Sequence, residues 1–223
     1  LKSIMKSCPT TRTPPFAPVA FLGQVPLIVA VNNEVPAKNL KELVALAKAR
    51  QGQMTYASAS TSQRVSTEML LSMSGIQMTY VPYKAGPAAM TDLISGQVNL
   101  FTADFAVMLP QVKAGKVRGL AVTSTKRSKA IPELPTVNEA LGLKDYELIA
   151  YFAIFAPAGT PQPIVQALNK AANAAAGDKD LLARFAALGF ETDPGTPEAL
   201  AERTKRETAK WAKAIRDAKI EPE

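Results

Sequence analysis

From Pro26 onward the chain alternates short apolar runs with longer stretches of helical period, and glycine or proline marks most changes. Pro26-Leu27-Ile28-Val29-Ala30-Val31 reads as a buried strand. Asn39, with Glu42 three residues on, suits a capping box for a helix whose apolar positions are Leu40, Val44 and Ala47 and which closes at Gly52. Met54 to Ser58 reads as a second strand. It enters the small polar loop Ala59 to Gln63, after which Val65, Met69, Leu70 and Met73 form a helical stripe ending at Gly75. Val81-Pro82-Tyr83-Lys84-Ala85-Gly86-Pro87-Ala88 runs from an apolar strand through a Gly/Pro turn into a helix that ends at Gly96. Val98 to Phe101 is the strand beyond it, so this stretch is one βαβ unit.

Val107 to Ala114 is expected to be a helix containing Pro110, and Val117 to Thr123 another β-rich run. The alternation then breaks for a loop with Pro132 and Pro135, a short helix near Val137 to Leu141, and an aromatic strand from Tyr146 to Phe155. Thr160 and Pro161 read as N-cap and first residue of a helix that buries Ile164, Val165, Leu168, Ala171 and Ala172. Thr196-Pro197-Glu198 repeats the device for a final helix carrying Leu200 and Trp211. The pattern predicts an α/β fold with helices on both faces of the sheet and a boundary between 123 and 146.

Composition narrows the chemistry. The 223 residues are 47% hydrophobic and 20% charged, enough to bury a core. There is no histidine and a single cysteine, Cys8, which removes imidazole catalysis, the common zinc ligand sets and any internal disulfide. No metal or other cofactor is expected. Lys84 as a Schiff-base nucleophile or Ser58 as an acyl nucleophile would each need an activating base, and there is no G-x-S-x-G elbow, so an enzyme is not expected. The net charge of +7 raises nucleic acid as a partner, but the bases are spread among acids, as in Arg203, Lys205 and Lys210 beside Glu202 and Glu207. A solvated mixed-charge surface is the expectation. No apolar run reaches the ~18 residues that span a bilayer, Pro18, Gly23, Gln24 and Pro26 breaking the best one, so no membrane insertion is expected. Leu1 to Pro15 shows no signal-peptide pattern.

The loop Ser58-Ala59-Ser60-Thr61-Ser62-Gln63 joins a strand end to a helix start, where unpaired N–H groups and the helix dipole favour an anion and the hydroxyls add donors. Plain N-capping by Ser60 or Ser62 is the ordinary alternative. Arg64 could grip a carboxylate or lie solvated. Tyr83, in the turn after a strand, either faces a cleft or holds the turn. Thr102 and Asp104 follow a strand end, where open α/β sheets place ligands. Asp104 would receive a ligand amine or cap the next helix. Tyr151 and Phe152 either line a cleft or pack in the core.

The wording of several segments resembles the Bug family (TctC-like), the extracytoplasmic solute receptors of tripartite tricarboxylate transporters. The residues that carry it are Phe16-Ala17-Pro18-Val19, Pro36-Ala37 to Leu43, Tyr56-Ala57-Ser58, the Val81-Pro82-Tyr83-Lys84 unit with Thr91-Asp92-Leu93 and Gly96-Gln97-Val98-Asn99-Leu100, and Lys113-Ala114-Gly115-Lys116-Val117-Arg118. Leu120 to Ser124, Pro135-Thr136-Val137-Asn138-Glu139-Ala140 and Ala156-Pro157-Ala158-Gly159-Thr160-Pro161 complete it. The resemblance implies a type II periplasmic binding protein fold, two lobes joined by crossover strands. It implies a periplasmic, non-catalytic receptor that captures a small carboxylate and delivers it to a membrane permease. The ligand residues it selects are Ser58, Ala59, Ser60, Thr61, Ser62, Gln63, Tyr83, Thr102, Asp104 and Tyr151.

The chain departs from the family in a shorter loop after Ser58 and in Arg64, which stands where His is usual. Cys8-Pro9-Thr10-Thr11-Arg12 stands where relatives read Leu-Pro-Tyr-Asp-Pro, and it is the peptide those codons encode when read one nucleotide late. The expectation is an out-of-frame start and an incomplete first lobe. Residues 1–25 would then be the remnant of that lobe and a crossover strand, 26–145 the second lobe with the carboxylate loop, and 146–223 the C-terminal part of the first. Two other readings stand beside this one: the effector-sensing domain of a LysR-type regulator, which has the same fold, and a truncated fragment that binds nothing.

Overall fold

The computed structural model describes residues 16–217. The Cys8–Arg12 reading, and most of the segment expected at 1–25, lie outside them. Two units are present: a central one, Val25–Ala150 with Ala186–Phe190, and a terminal one, Tyr151–Phe185 with the described parts of Leu1–Gln24 and Glu191–Glu223.

The central unit is built on a mixed sheet in the order β3-β2-β4-β1-β5. Its strands are β1 (Phe16–Val31, of which residues 25–31 belong here), β2 (Thr55–Ser58), β3 (Thr79–Pro82), β4 (Leu100–Asp104) and β5 (Arg118–Val122). β2 is parallel to β3 and β4, whereas β1 runs antiparallel to β4 and β5. Side chains alternate across this sheet with period two, so Ile28, Ala30, Phe101 and Ala103 fall into one apolar cluster and Val29, Val31 and Leu100 into another. Helices cover both faces. Leu40 and Leu43 of α1 (Leu40–Ala49), Leu70 and Leu71 of α2 (Thr61–Ser74) and Val137 of α5 (Val137–Leu141) pack in the second cluster. Met90 and Leu93 of α3 (Gly86–Ile94) and Met108 and Leu109 of α4 (Phe105–Lys113) pack in the first.

The caps are where local chemistry asked for them. Asn39 Oδ1 accepts from Glu42 N at 2.9 Å to start α1, and Gly75 closes α2 at φ +62. The loop expected to last until Gln63 is shorter, because Ser60 caps α2 and the helix begins at Thr61. The segment Ala186–Phe190 adheres to the central unit through Gly189, whose φ of +69 and contact with the Phe105 ring leave no room for a Cβ.

In the terminal unit β6 (Ile149–Pro157) pairs β1, and α6 (Gln162–Ala176), α7 (Lys179–Ala187) and α8 (Pro197–Asp217) follow. Thr196 Oγ1 accepts from Ala199 N at 3.2 Å, as the Thr-Pro signal for α8 predicts. The matching reading at Thr160 needs correction. Its N–H and hydroxyl both donate to Pro157 O, at 3.2 and 2.8 Å, so the hydroxyl is spent on the turn and the N-cap is Pro161. The stripe expected on α6 is also rotated: Ile164 is 51% and Leu168 45% exposed, while Val165, Asn169 and Ala176 are buried. Asn169 Nδ2 donates to Val19 O at 2.8 Å and Gly195 O at 2.9 Å, so a polar anchor, not an apolar one, sets the inward face.

Candidate functional site

The parallel strands β2, β3 and β4 each lead directly toward a helix, respectively α2, α3 and α4, so the positive ends of three helix dipoles gather at the strands' C-terminal end. The sequence-derived residues of the central unit lie there. Ser58 is buried at the end of β2, and its hydroxyl donates to Ser60 O at 2.9 Å, which fixes the bend. Ala59 N donates to Gln63 Oε1 at 2.8 Å. Ser60 Oγ accepts from Gln63 N at 3.4 Å and lies 3.0 Å from Ser62 Oγ. N-capping by Ser60 is therefore real, yet it satisfies only one donor. Among the described residues no protein acceptor meets the backbone N–H groups of Ser60, Thr61 or Ser62.

Gln63 carries the loop to the neighbouring strand, its Nε2 donating to Asp104 Oδ2 at 3.3 Å. Asp104 occupies the N-cap of α4 but makes no capping bond with its side chain. Thr102 is fully buried and meets Thr67 Oγ1 at 3.0 Å, while Thr67 also bonds Gln63 O at 3.1 Å. Sequence reasoning missed Thr67, although its position four residues after Gln63 puts both on one helix face.

Two expected members point elsewhere. Tyr83 N donates to Ser58 O at 2.8 Å, but its phenol donates to Asp92 Oδ2 at 2.6 Å, tying the turn to α3. Burial, then the Asp92 hydrogen bond and charge, push the phenol up to about 12. Tyr151 belongs to the terminal unit, where its phenol lies near Thr204 and Glu207. Burial, then the charge of Glu207, raise its pKa, and Thr204 opposes them. The Arg64 guanidinium sits 4.5 Å over the Tyr80 ring, and Tyr80 stacks on Tyr56 at 5.4 Å. Tyr56 Oη donates to Glu68, and burial raises its pKa ahead of that bond.

Chemically, this set offers backbone N–H groups, hydroxyls and an amide to an anion. Among the described residues no group of His, Cys, Asp and Glu side chains could hold a metal ion, and no helix is long and apolar enough to cross a membrane.

The chain matches the family model described as "Tripartite tricarboxylate transporter family receptor" over residues 5–220. A relative from Pseudomonas sp. (strain P51), described as "UPF0065 protein in tcbD-tcbE intergenic region", is 32% identical over 202 residues, 90% of this chain and 60% of that one. Among solved structures the fold is similar to "R. palustris Rpa4515 with adipate", with a TM-score of 0.88 and 32% identity over 93% of this chain and 70% of that chain. It is also similar to "MatC (Rpa3494) from Rhodopseudomonas palustris with bound malate", with a TM-score of 0.82 and 28% identity over 90% and 69%. The chain spans about three fifths of the length of the curated relatives it matches first.

Proposed function

The chain belongs to the tripartite tricarboxylate transporter receptor family, and from that premise we propose that it captures a small carboxylate in the periplasm and delivers it to a membrane permease. The observation that carries the reading is the α2 N-terminus, where Ser60, Thr61 and Ser62 present N–H groups that no acceptor among the described residues meets. One carboxylate of the ligand accepts from these groups and from the Ser60, Thr61 and Ser62 hydroxyls. Ser58 and Ala59 hold the bend by bonds inside the loop. Gln63 draws the Asp104 carboxylate away from the anion, or leaves it to meet a donor elsewhere on the ligand, and Thr102 stiffens this arrangement through Thr67. Tyr83 acts within its own unit, as its committed hydroxyl suggests, and Tyr151 lies in the terminal unit. The adipate and malate held by two structural neighbours support a dicarboxylate as the ligand class. The family's members are solute-binding receptors, which fits a site with donors but no activated nucleophile.

Isothermal titration of the chain with malate, adipate and citrate tests the reading, with Thr61→Pro as the diagnostic variant. Proline is well tolerated at the first helical position, and Ser60 already has the extended backbone, φ −155 and ψ 159, that a residue before proline adopts. The variant should fold normally yet lose both the Thr61 N–H and the Thr61 hydroxyl as donors, at about 1.5–3 kcal/mol for each charge-assisted hydrogen bond and so at least roughly tenfold in Kd. No heat with any of the acids, or binding unchanged in the variant, would overturn the proposal.

A further inference from the structure

The central unit has a second concavity at the opposite end of its sheet. It lies where β1 ends and where β2 and β4 begin, between the loop after Val31, the C-terminus of α1 and the turns that precede the two parallel strands. Its volume is about 290 Å³, roughly ten times the ~30 Å³ that one water occupies in the liquid.

One wall is held unusually firmly. Asn32 is buried, its Nδ2 donating to Leu93 O at 2.8 Å and Ile94 O at 3.1 Å, while its Oδ1 accepts from Glu34 N at 2.8 Å. Asn33 Nδ2 donates to Gly115 O at 2.7 Å, and the Arg118 guanidinium reaches Val35 O, Ala37 O and Asn33 O at 3.1, 3.0 and 3.4 Å. The loop is thus fixed before any ligand arrives. It presents the Glu34 carboxylate over Gly96, where a built Cβ would lie 3.5 Å from Glu34 Oε2.

Arg50, the C-cap of α1, lines the same cavity. Among the described residues neither Glu34 nor Arg50 forms an ion pair or a side-chain hydrogen bond. Between them the wall offers the Gln53 amide and the Nδ2 donor of Asn99, whose Oδ1 is already taken by Thr55 N at 2.8 Å. Leu46 and Met54 contribute an apolar patch.

A phosphate or dicarboxylate would meet Glu34, and a bare cation would meet Arg50 with only one carboxylate to hold it. A molecule with both charges and a short apolar part satisfies every wall. We propose that this cavity is a second ligand site, for a free amino acid of modest size, with its ammonium on Glu34, its carboxylate on Arg50 and its side chain against Leu46 and Met54. This site is independent of the carboxylate loop.

The test is a set of ¹H–¹⁵N spectra of the full chain titrated with L-leucine, N-acetyl-L-leucine and L-leucinamide to about 20 mM, above the roughly millimolar Kd that two charge-assisted hydrogen bonds support. L-leucine should shift the Gly96 amide and the side-chain amides of Asn99 and Gln53. N-acetyl-L-leucine, without the ammonium, and L-leucinamide, without the carboxylate, should bind at least tenfold more weakly. Glu34→Gln should erase the preference over N-acetyl-L-leucine, and Arg50→Gln the preference over L-leucinamide. No shift with L-leucine, equal shifts with all three compounds, or variants that respond as the parent does would overturn the site and leave two solvated surface charges. Malate and adipate titrations of the same variants separate this result from the carboxylate loop, because their shifts belong at Ser60 to Gln63 whatever stands at 34 and 50.

Discussion

Tyr83 shows how one residue in a family motif can serve the fold. Its phenol keeps its proton up to about 12 instead of the ordinary 10.0, chiefly through burial and then through Asp92. A raised folded pKa means that the stability tied to this proton is complete below pH 10 and is lost as pH climbs from there through about 12. Tyr56 and Tyr146 are shifted in the same direction by burial, so the whole chain should weaken in strong alkali. We expect Tyr83→Phe to cost about 1 kcal/mol at neutral pH, the typical net value of one hydrogen bond. Its loss of stability above pH 10 should be shallower than the parent's. Urea melts at pH 8, 10 and 11.5 check this, and parallel pH slopes for the two proteins would refute it. The Ser60 cap was legible because capping types and helix starts are local signals. The committed hydroxyl of Tyr83 was not, since its partner Asp92 is chosen by packing.

At the scale of elements, capping chemistry separates what reads correctly from what does not. The α5 helix is short, and Thr136 and Glu139 close a full capping box on it: Thr136 Oγ1 accepts from Glu139 N and Glu139 Oε2 from Thr136 N, both at 3.0 Å. Thr136 N–H and then Arg127 hold the Glu139 carboxyl below the usual range. Thr136→Ala should destabilise the chain by about 1 kcal/mol, the usual cost of a lost N-cap, measured as a drop in the urea midpoint with an unchanged slope. A midpoint that does not move would show that packing of Val137 alone holds the helix. Thr160 has the same residue type in the same Thr-Pro setting as Thr196, yet it caps nothing, because the preceding turn takes its hydroxyl. Nothing in the immediate neighbourhood of either threonine distinguishes them. The α7 helix went unread although Leu181, Leu182 and Phe185 give it apolar positions, and none of its residues is buried.

For the molecule as a whole, the two units differ in how much apolar surface their described residues pack. The central unit has extensive clusters on both faces of its sheet, whereas the terminal unit's cluster holds Val19, Ala20, Ala156 and Val165 with Ala17 and Ala172 beside them. Local opening costs less where fewer buried contacts must break. Hydrogen exchange should therefore be at least about tenfold faster in α6 than in β4; equal protection of the two would contradict this account. The alternation of strand and helix and the Ser60 cap at the end of β2 were determined by the sequence alone, because period, caps and turn residues act between neighbours in the chain. Tertiary structure decided which side chains meet: Gln63 with Asp104 across 41 residues, Thr67 with Thr102 across 35, and Asn169 with Val19 across 150. Those pairings follow from how helices settle on a sheet to exclude water and satisfy buried polar atoms, and no spacing along the chain encodes that condition.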